Sequence, residues 1–413
     1  MEKVFLNRSP KSRVRAISSK SEAHRALICA ALGDRECEII CNDTNADIDA
    51  TVICLNSMGA DILRTEHGFK VAPFKLLNQG CSLECNESGS TLRFLLPTVA
   101  SLGLSCSFSM RGRLQDRPLS PLYELLTDSG VRLGEKGTNP LSVSGKLPSG
   151  NYSIAANVSS QYISGMLFAL SVSKGESTLS LLGNVESSPY IDITVDTLMA
   201  FGADISYDRS SQTFQIAGKS RLHSPKSITV GGDWSNAAFF ITAGVIGKKS
   251  VTVSGLNTNS RQGDRRIIEI LRDMGADIRV EGETVIANPS VLHAREVDAS
   301  DIPDLVPILS VAASVAEGKT VIYNASRLRL KESDRIESVR HTLSLLGADI
   351  TATPDGLVIY GRSRLGGGTV DSYNDHRIAM SAAVASLICE NAVKITDFEA
   401  INKSYPTFCD GWE

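Results

Sequence analysis

The sequence contains no CxxC pair and no HExxH motif, and its six histidines are scattered. Nothing in it therefore has the ligand spacing of a zinc site. The nine cysteines, an odd number, fall at spacings such as Cys37 to Cys41 and Cys81 to Cys85 that match no metal framework. Free thiols in a reducing cytoplasm are the expectation, with neither a metal nor a cofactor. No window approaches the ~18 uninterrupted apolar residues that span a bilayer. Met1 to Arg15 carries charge without the apolar centre of an export signal, so neither export nor membrane insertion is expected. A dominant charge sign is missing too: 42 Lys and Arg face 46 Asp and Glu, a formal net charge of −4. That balance gives no global surface for nucleic acid or another polyanion, and any anion binding must be local. Gly318-Lys-Thr320 ends like a phosphate-binding P-loop, but Ala313 stands where that motif needs glycine and the tripeptide follows a helical pattern instead of opening one.

What is present is enough apolar residue, 42% of 413, for a large core, and a length that suits two domains. A phrase recurs along the chain: Gly59-Ala-Asp-Ile62, Gly130-Val-Arg-Leu133, Gly202-Ala-Asp-Ile205, Gly275-Ala-Asp-Ile278 and Gly347-Ala-Asp-Ile350. The glycines lie 71, 72, 73 and 72 residues apart. Each follows an amphipathic helical pattern, such as Ile336, Val339, Leu343 and Leu346, and precedes a strand-like run. Glycine at this point ends a helix by turning left-handed without a Cβ penalty.

A second, small and Ala/Ser-rich helix alternates with the first, beginning at Ser21, Ser90, Ser160, Ser235, Asp304 and Asp375. These six starts are Ser or Asp, residues whose side-chain oxygens cap free N–H groups. The reading is an α/β protein of two domains, each of three βαβαββ units. Five glycine-ended helices against six buried ones leave the sixth unit incomplete, and the segment before Ser21, with its strand-like Val14 to Ile17, is the spare piece. Domain one then covers 19–230 and domain two 1–18 with 231–413. Crossings near 18 and 231 make a hinge. A stacked solenoid or binding scaffold is the plainer reading of such a repeat.

The residues at the helix starts argue against the scaffold. A helix N-terminus carries unpaired N–H groups and about half a positive charge, which suits phosphate or carboxylate. Lys20, Arg25 and Arg377 beside such ends oppose the helix dipole unless an anion sits there. The starts read Lys20-Ser21, Glu87-Ser-Gly-Ser90 with Arg93, Ser159-Ser-Gln161, Asp233-Trp-Ser235, Asp301-Ile-Pro-Asp304 and Asn374-Asp-His-Arg377. Basic loops lie between them. In Arg111 to Pro118, Arg117 precedes a proline placed to open a helix; in Arg329 to Arg335, the spacing of Lys331, Glu332 and Arg335 would put them on one face of a helix start. A solvated ion-pair helix is the alternative there.

Ser19-Lys-Ser-Glu-Ala-His-Arg25, Glu87-Ser-Gly-Ser-Thr-Leu-Arg93, Ser159-Ser-Gln161, Pro189-Tyr-Ile-Asp-Ile193, Arg329 to Arg335, Tyr373-Asn-Asp-His-Arg377 and Lys403-Ser-Tyr-Pro406 together resemble the 5-enolpyruvylshikimate-3-phosphate synthase family, in family order over essentially the whole chain. The resemblance implies two domains of the inside-out α/β barrel type that close on substrate, a monomer, and enolpyruvyl transfer from phosphoenolpyruvate to shikimate 3-phosphate in aromatic amino-acid synthesis. It implies shikimate 3-phosphate contacts from Lys20, Ser21, Arg25, Ser159, Ser160, Gln161, Ser187, Tyr190, Asp304 and Lys331. Phosphoenolpyruvate contacts fall to Lys20, Gly89, Arg117, Gln161, Arg335, His376, Arg377 and Lys403. Asp304 matches the base for the attacking hydroxyl and Glu332 the group exchanging a proton with the methylene carbon, and the division of proton work among Lys20, Asp304 and Glu332 stays open. Four residues depart from the family's common pattern: Glu87 for Asn, Ser90 for Thr, Ser19 for Gly, and Arg327 where some members have a shikimate-contacting Asn, so that Arg327 is left out of the site. An acidic Glu87 aimed at the enolpyruvate carboxylate would repel it, so it is expected to turn away or pair with a cation. The sister transferase acting on UDP-N-acetylglucosamine is the nearest alternative, but its Lys-Asn start and loop cysteine are absent. The start at Asp233 to Ser235 has no assignment beyond capping or hinge duty.

Overall fold

The computed structural model describes residues 1–6 and 8–413. The chain forms two compact units, Ser18–Val230 and Met1–Ile17 with Gly231–Glu413, and each has its own apolar core. The architecture is α/β with mixed sheets.

In Ser18–Val230 there are three four-stranded sheets, and the third shows the common plan. Asn151–Ala155 runs parallel to Gly175–Leu182, which pairs antiparallel with Thr213–Gly218, and that strand pairs antiparallel with Asp204–Asp208. Parallel neighbours need a crossover. Here it is the helix Ser160–Ser171, whose side chains are almost all buried. The helix Ser188–Ala200 makes the next connection, giving the order βαβαββ. The first repeat begins directly at its helix, so its strand Cys37–Ile40 takes a parallel partner from the end of the unit, Ser227–Thr229, with Ser227 opposite Glu38.

The second unit repeats the plan and corrects the expectation for the N-terminal segment. Arg13–Arg15 pairs in parallel with Val251–Ser254 and completes the fourth sheet, Val14 pointing inward between two exposed arginines. The sixth sheet is completed instead by Lys3–Phe5, antiparallel to Val393–Thr396, which runs parallel to Gly368–Asp371. The fourth repeat, like the first, starts at its helix and must import a parallel strand. The sixth stops before an antiparallel pair and must import an edge.

All five recurring glycines, Gly59, Gly130, Gly202, Gly275 and Gly347, have φ between 72° and 113°. Only glycine adopts that region without strain, which is why the phrase repeats. The buried helices run Lys20–Ala31, Gly89–Leu102, Ser160–Ser171, Trp234–Ile246, Val306–Ala313 and His376–Ala385. Side chains of Ser19, Ser88, Ser159, Asp233 and Asp375 cap five of them. Of the six expected caps only Asp375 holds: at the first four starts the cap falls one or two residues before Ser21, Ser90, Ser160 and Ser235, and at the fifth a 3-10 turn, Pro303–Leu305, leads into the helix and no side chain caps either segment. Two further expectations fail locally. The helix after Arg117 starts only at Leu122, beyond Pro118. Lys331 and Glu332 precede the helix Arg335–Leu345, since Ser326–Leu330 is a 3-10 turn and Lys331 is extended. Among the described residues no helix is long and apolar enough to cross a membrane, and no group of three or more His, Cys, Asp or Glu could hold a metal.

Candidate active site

In Ser18–Val230 the first three helix starts carry the candidate groups. Lys20 opens its helix and its Nζ sits 2.9 Å from Asp47 Oδ2. Ser21 Oγ lies 3.2 Å from Ser19 Oγ. Arg25, one turn in, is only 2% exposed. Its Nε donates to Thr194 Oγ1 at 2.7 Å, Nη1 to the Ser21 carbonyl at 2.6 Å and Nη2 to the Tyr190 carbonyl at 2.8 Å. Burial lowers its pKa to about 10. Arg25 thereby ties the first helix start to that of Ser188–Ala200, where Ser187 takes a left-handed φ of 54° and Tyr190 lies in the first turn.

Gln161 connects the second and third starts. Its Oε1 accepts from Arg93 Nη1 at 2.7 Å and its Nε2 donates to Ser90 Oγ at 2.9 Å, while Ser159 Oγ caps its backbone N–H and Ser160 is buried beside it. Arg93 is named at the second helix start by the sequence but given no substrate role there. A stronger signal was available: it is the one charged residue of its helix, and it is buried. A Cβ on Gly89 would stand 2.9 Å from the Nη1 atoms of both Arg93 and Arg117. Gly89→Ala must push both guanidiniums aside, with little effect on folding because Gly89 has no positive φ. The expected result is about a tenfold loss of affinity for an anion at these two guanidiniums, for a displacement costing roughly 1 kcal/mol, with an unchanged unfolding midpoint; equilibrium binding and denaturant unfolding check it. Glu87 turns onto the basic loop, its Oε2 2.5 Å from where a Cβ on Gly112 would be, and Gly112 has a φ of 54°.

The other unit holds a denser cluster. Arg335, 2% exposed in its side chain, donates from Nε to Asp375 Oδ2 at 2.8 Å, from Nη1 to Asp304 Oδ1 at 2.7 Å and from Nη2 to Glu332 Oε2 at 2.6 Å. Arg377 Nη2 approaches Asp304 Oδ2 at 3.2 Å, and Lys331 Nζ lies 3.9 Å from Asp304 Oδ1. Three cations thus face three carboxylates. Burial alone would raise the pKa of Asp304, but Arg377, Lys331 and Arg335 hold it far below the carboxylate range. Burial draws Lys331 down to about 8 against the pull of Asp304. Asp375 has two duties, capping Arg377 N at 3.0 Å and holding Arg335. His376 is buried, with Nδ1 3.9 Å from Asp375 Oδ1, and Lys403 Nζ donates to the Asn374 carbonyl at 2.6 Å.

Asp264 is a residue sequence reasoning missed. It is fully buried, accepts a short hydrogen bond from Ser235, and its carboxyl is pushed up to about 7 by burial and then by Asp304. The fourth helix start is clamped nearby, with Trp234 N donating to Gln262 Oε1 at 2.9 Å and Gln262 Nε2 to the Gly232 carbonyl at 2.9 Å.

A family model described as EPSP synthase (3-phosphoshikimate 1-carboxyvinyltransferase) matches residues 8–412. The chain belongs to the EPSP synthase family. A 3-phosphoshikimate 1-carboxyvinyltransferase of Clostridium kluyveri is 40% identical over 397 residues, covering 96% of this chain and 92% of its own length. One of Clostridium novyi is likewise 40% identical, over 96% of this chain and 93% of its own. The solved EPSP synthase of Acinetobacter baumannii superposes with a TM-score of 0.79 at 28% identity, over 99% of this chain and 96% of that one. An enolpyruvyl transferase of Streptomyces tendae, 19% identical with a TM-score of 0.78 and covering 99% of this chain and 96% of its own, shares the fold.

Proposed function

We propose that the protein transfers the enolpyruvyl group of phosphoenolpyruvate to the 5-hydroxyl of shikimate 3-phosphate and releases phosphate, within aromatic amino-acid synthesis. The observation that carries this reading is the meeting of Arg335, Arg377 and Lys331 on Asp304, with Glu332 on the same guanidinium. A scaffold that only bound anions has no use for two carboxylates among its cations. An addition-elimination reaction uses both. Asp304 takes the proton of the attacking hydroxyl as its oxygen bonds to C2 of phosphoenolpyruvate, and Glu332 supplies a proton to the methylene carbon, giving a tetrahedral ketal phosphate. Loss of phosphate and return of a methyl proton regenerate the double bond. Lys20 shares in this proton work.

Lys20, Ser21, Ser159, Ser160, Gln161, Ser187, Tyr190, Asp304 and Lys331 contact shikimate 3-phosphate in this reading. Arg25, whose donors are largely spent on protein, acts there chiefly by fixing Ser21 and Tyr190. Lys20, Gly89, Arg117, Gln161, Arg335, His376, Arg377 and Lys403 serve phosphoenolpyruvate. Hydroxyls, an amide and cations are what a phosphate monoester of roughly −1.5 to −2 charge requires, and guanidinium forks match carboxylate and phosphate. The protein acts as a monomer in this reading; nine free cysteines suit a reducing cytoplasm.

The test is phosphate release with both substrates and with each omitted. Release that needs both, and is lost in Arg117→Ala, supports the reading; release with UDP-N-acetylglucosamine in place of shikimate 3-phosphate overturns it. A pH dependence follows from Lys331. Its ammonium group is charged below about 8 and loses its proton above, so shikimate 3-phosphate KM is expected to climb between pH 8 and 9.5. Lys331→Arg, which stays protonated throughout, should flatten that climb in a KM-versus-pH profile.

A further inference from the structure

Behind the candidate anion groups of Ser18–Val230 runs a line of buried polar atoms that none of the roles above uses. His24 on the first helix, Thr51 on the helix Ala46–Met58, and Thr91 and Ser88 at the start of the second buried helix are each no more than 1% exposed. His24 Nδ1 lies 2.7 Å from Thr51 Oγ1, Thr51 Oγ1 lies 2.7 Å from Thr91 Oγ1, and Thr91 Oγ1 donates to Ser88 Oγ at 2.7 Å. The direction of every proton can be worked out. Because Thr91 gives its hydroxyl proton to Ser88, Thr51 must donate to Thr91, and His24 must then donate from Nδ1 to Thr51. Burial, with Lys20 and Arg25 nearby, keeps His24 neutral, so its one N–H sits on Nδ1 while the buried Nε2 has no partner. The ring stands edge-on to Phe94, centroids 6.4 Å apart, which fixes its plane.

The line joins two helix starts. Ser88 Oγ caps its helix by accepting from Thr91 N at 3.3 Å, immediately before Gly89 and Ser90. The Asp47 carbonyl is a weak second acceptor for that same Thr91 proton at 3.5 Å, and the Asp47 carboxylate holds Lys20. We infer that His24, Thr51 and Thr91 are positioning residues that set the Ser88–Ser90 turn relative to Lys20, and so shape the half-site for phosphoenolpyruvate without touching it. A side chain at any of these places could fill the space; only donors arranged in series hold three helices at one register. This inference rests on the enolpyruvyl transfer proposed above.

Thr51→Val keeps the shape and removes the central hydroxyl, leaving the His24 N–H unpaired and Thr91 Oγ1 without its incoming donor. The expected result is a phosphoenolpyruvate KM raised about tenfold, with shikimate 3-phosphate KM within about twofold and kcat within about threefold, since sub-ångström misplacement of a binding group costs on that scale. Thr51→Ser, which restores the hydroxyl, should return KM to the wild-type value. Thr91→Ala breaks the same line where alanine is a good helix former, and carries the same expectation if Thr51→Val folds poorly. Equal changes in both KM values and kcat, or no change in any, overturn the inference. Amide hydrogen exchange separates it from the proposed activity: Thr51→Val should speed exchange at Ser88–Thr91 more than at Ser21–Ala23. Equal exchange at both starts sinks the positioning line whatever the enzyme turns over, whereas wild-type protein that releases no phosphate sinks the proposed activity and leaves the exchange result standing.

Discussion

Asp304→Asn is expected to lower kcat for phosphate release by about 10²–10⁴, the range a general base contributes, while phosphoenolpyruvate binds as well as before or more tightly. The two effects have opposite signs for one reason. Asp304 engages Arg335 at 2.7 Å, Arg377 at 3.2 Å and Lys331 at 3.9 Å, so in the absence of substrate it occupies the cations that an anionic substrate needs. Removing its charge releases them. The same cations depress the basicity of Asp304 far below that of an ordinary carboxylate, which is a poor state for a base. On the proposed mechanism two polyanionic substrates reverse this, since each phosphate or carboxylate that takes over a guanidinium returns basicity to Asp304. The proposed base would then be switched on by the substrates it serves. Single-turnover rates and equilibrium binding measured on the one variant check both halves. A fall in kcat accompanied by weaker phosphoenolpyruvate binding would show Asp304 to be a structural member of the cluster and not its base.

The repeats were legible because two local requirements recur: a left-handed C-terminus that only glycine meets cheaply, and a Ser or Asp cap before a small apolar helix. Both are properties of a few consecutive residues. The strand that completes each sheet was not legible, because Lys3–Phe5 and Arg13–Arg15 are equally short, only the second alternates polar and apolar, and their partners at Val393–Thr396 and Val251–Ser254 are distant in sequence. The residues proposed to bind anions stood out in the same way, since a basic side chain at a helix N-terminus contradicts the dipole. What escaped were residues whose role depends on a partner from another repeat. Arg93 matters because Gln161 is beside it, and Asp264 because Ser235 and Asp304 are; nothing within either local sequence announces that. The fifth start was misread as capped for a related reason: Asp304 has the right residue type, but its carboxylate is claimed by three cations and its backbone by a 3-10 turn.

Arg335→Ala is the variant in which stability and activity should fail together. One guanidinium carries bonds to Asp375, Asp304 and Glu332, and its side chain is 2% exposed. Burial opposes its charge, yet Asp375, Glu332 and Asp304 raise its pKa above that of free arginine. Deleting one partner of a buried ion pair costs about 3–5 kcal/mol, because the charge left behind is poorly compensated; here it weakens the compensation of three carboxylates at once, although Asp304 keeps Arg377 and Lys331. The sign of the pH dependence follows from Asp304. Its folded pKa lies below the unfolded value, so the pairing stabilises the fold above the unfolded pKa near 4 and is lost as pH falls through the folded value. In Arg335→Ala part of that depression is gone, while Arg377 and Lys331 keep the rest. The deficit against wild type should therefore be full at neutral pH and shrink only as pH falls below about 4, where wild type loses the larger contribution, read from urea unfolding of both proteins on either side of that point. Arg335→Lys restores the charge but not the fork that reaches three carboxylates at once, so it should recover part of the stability and little of the phosphoenolpyruvate affinity. A deficit that does not change between the two pH values would mean that lost packing, and not uncompensated charge, is what Arg335 prevents.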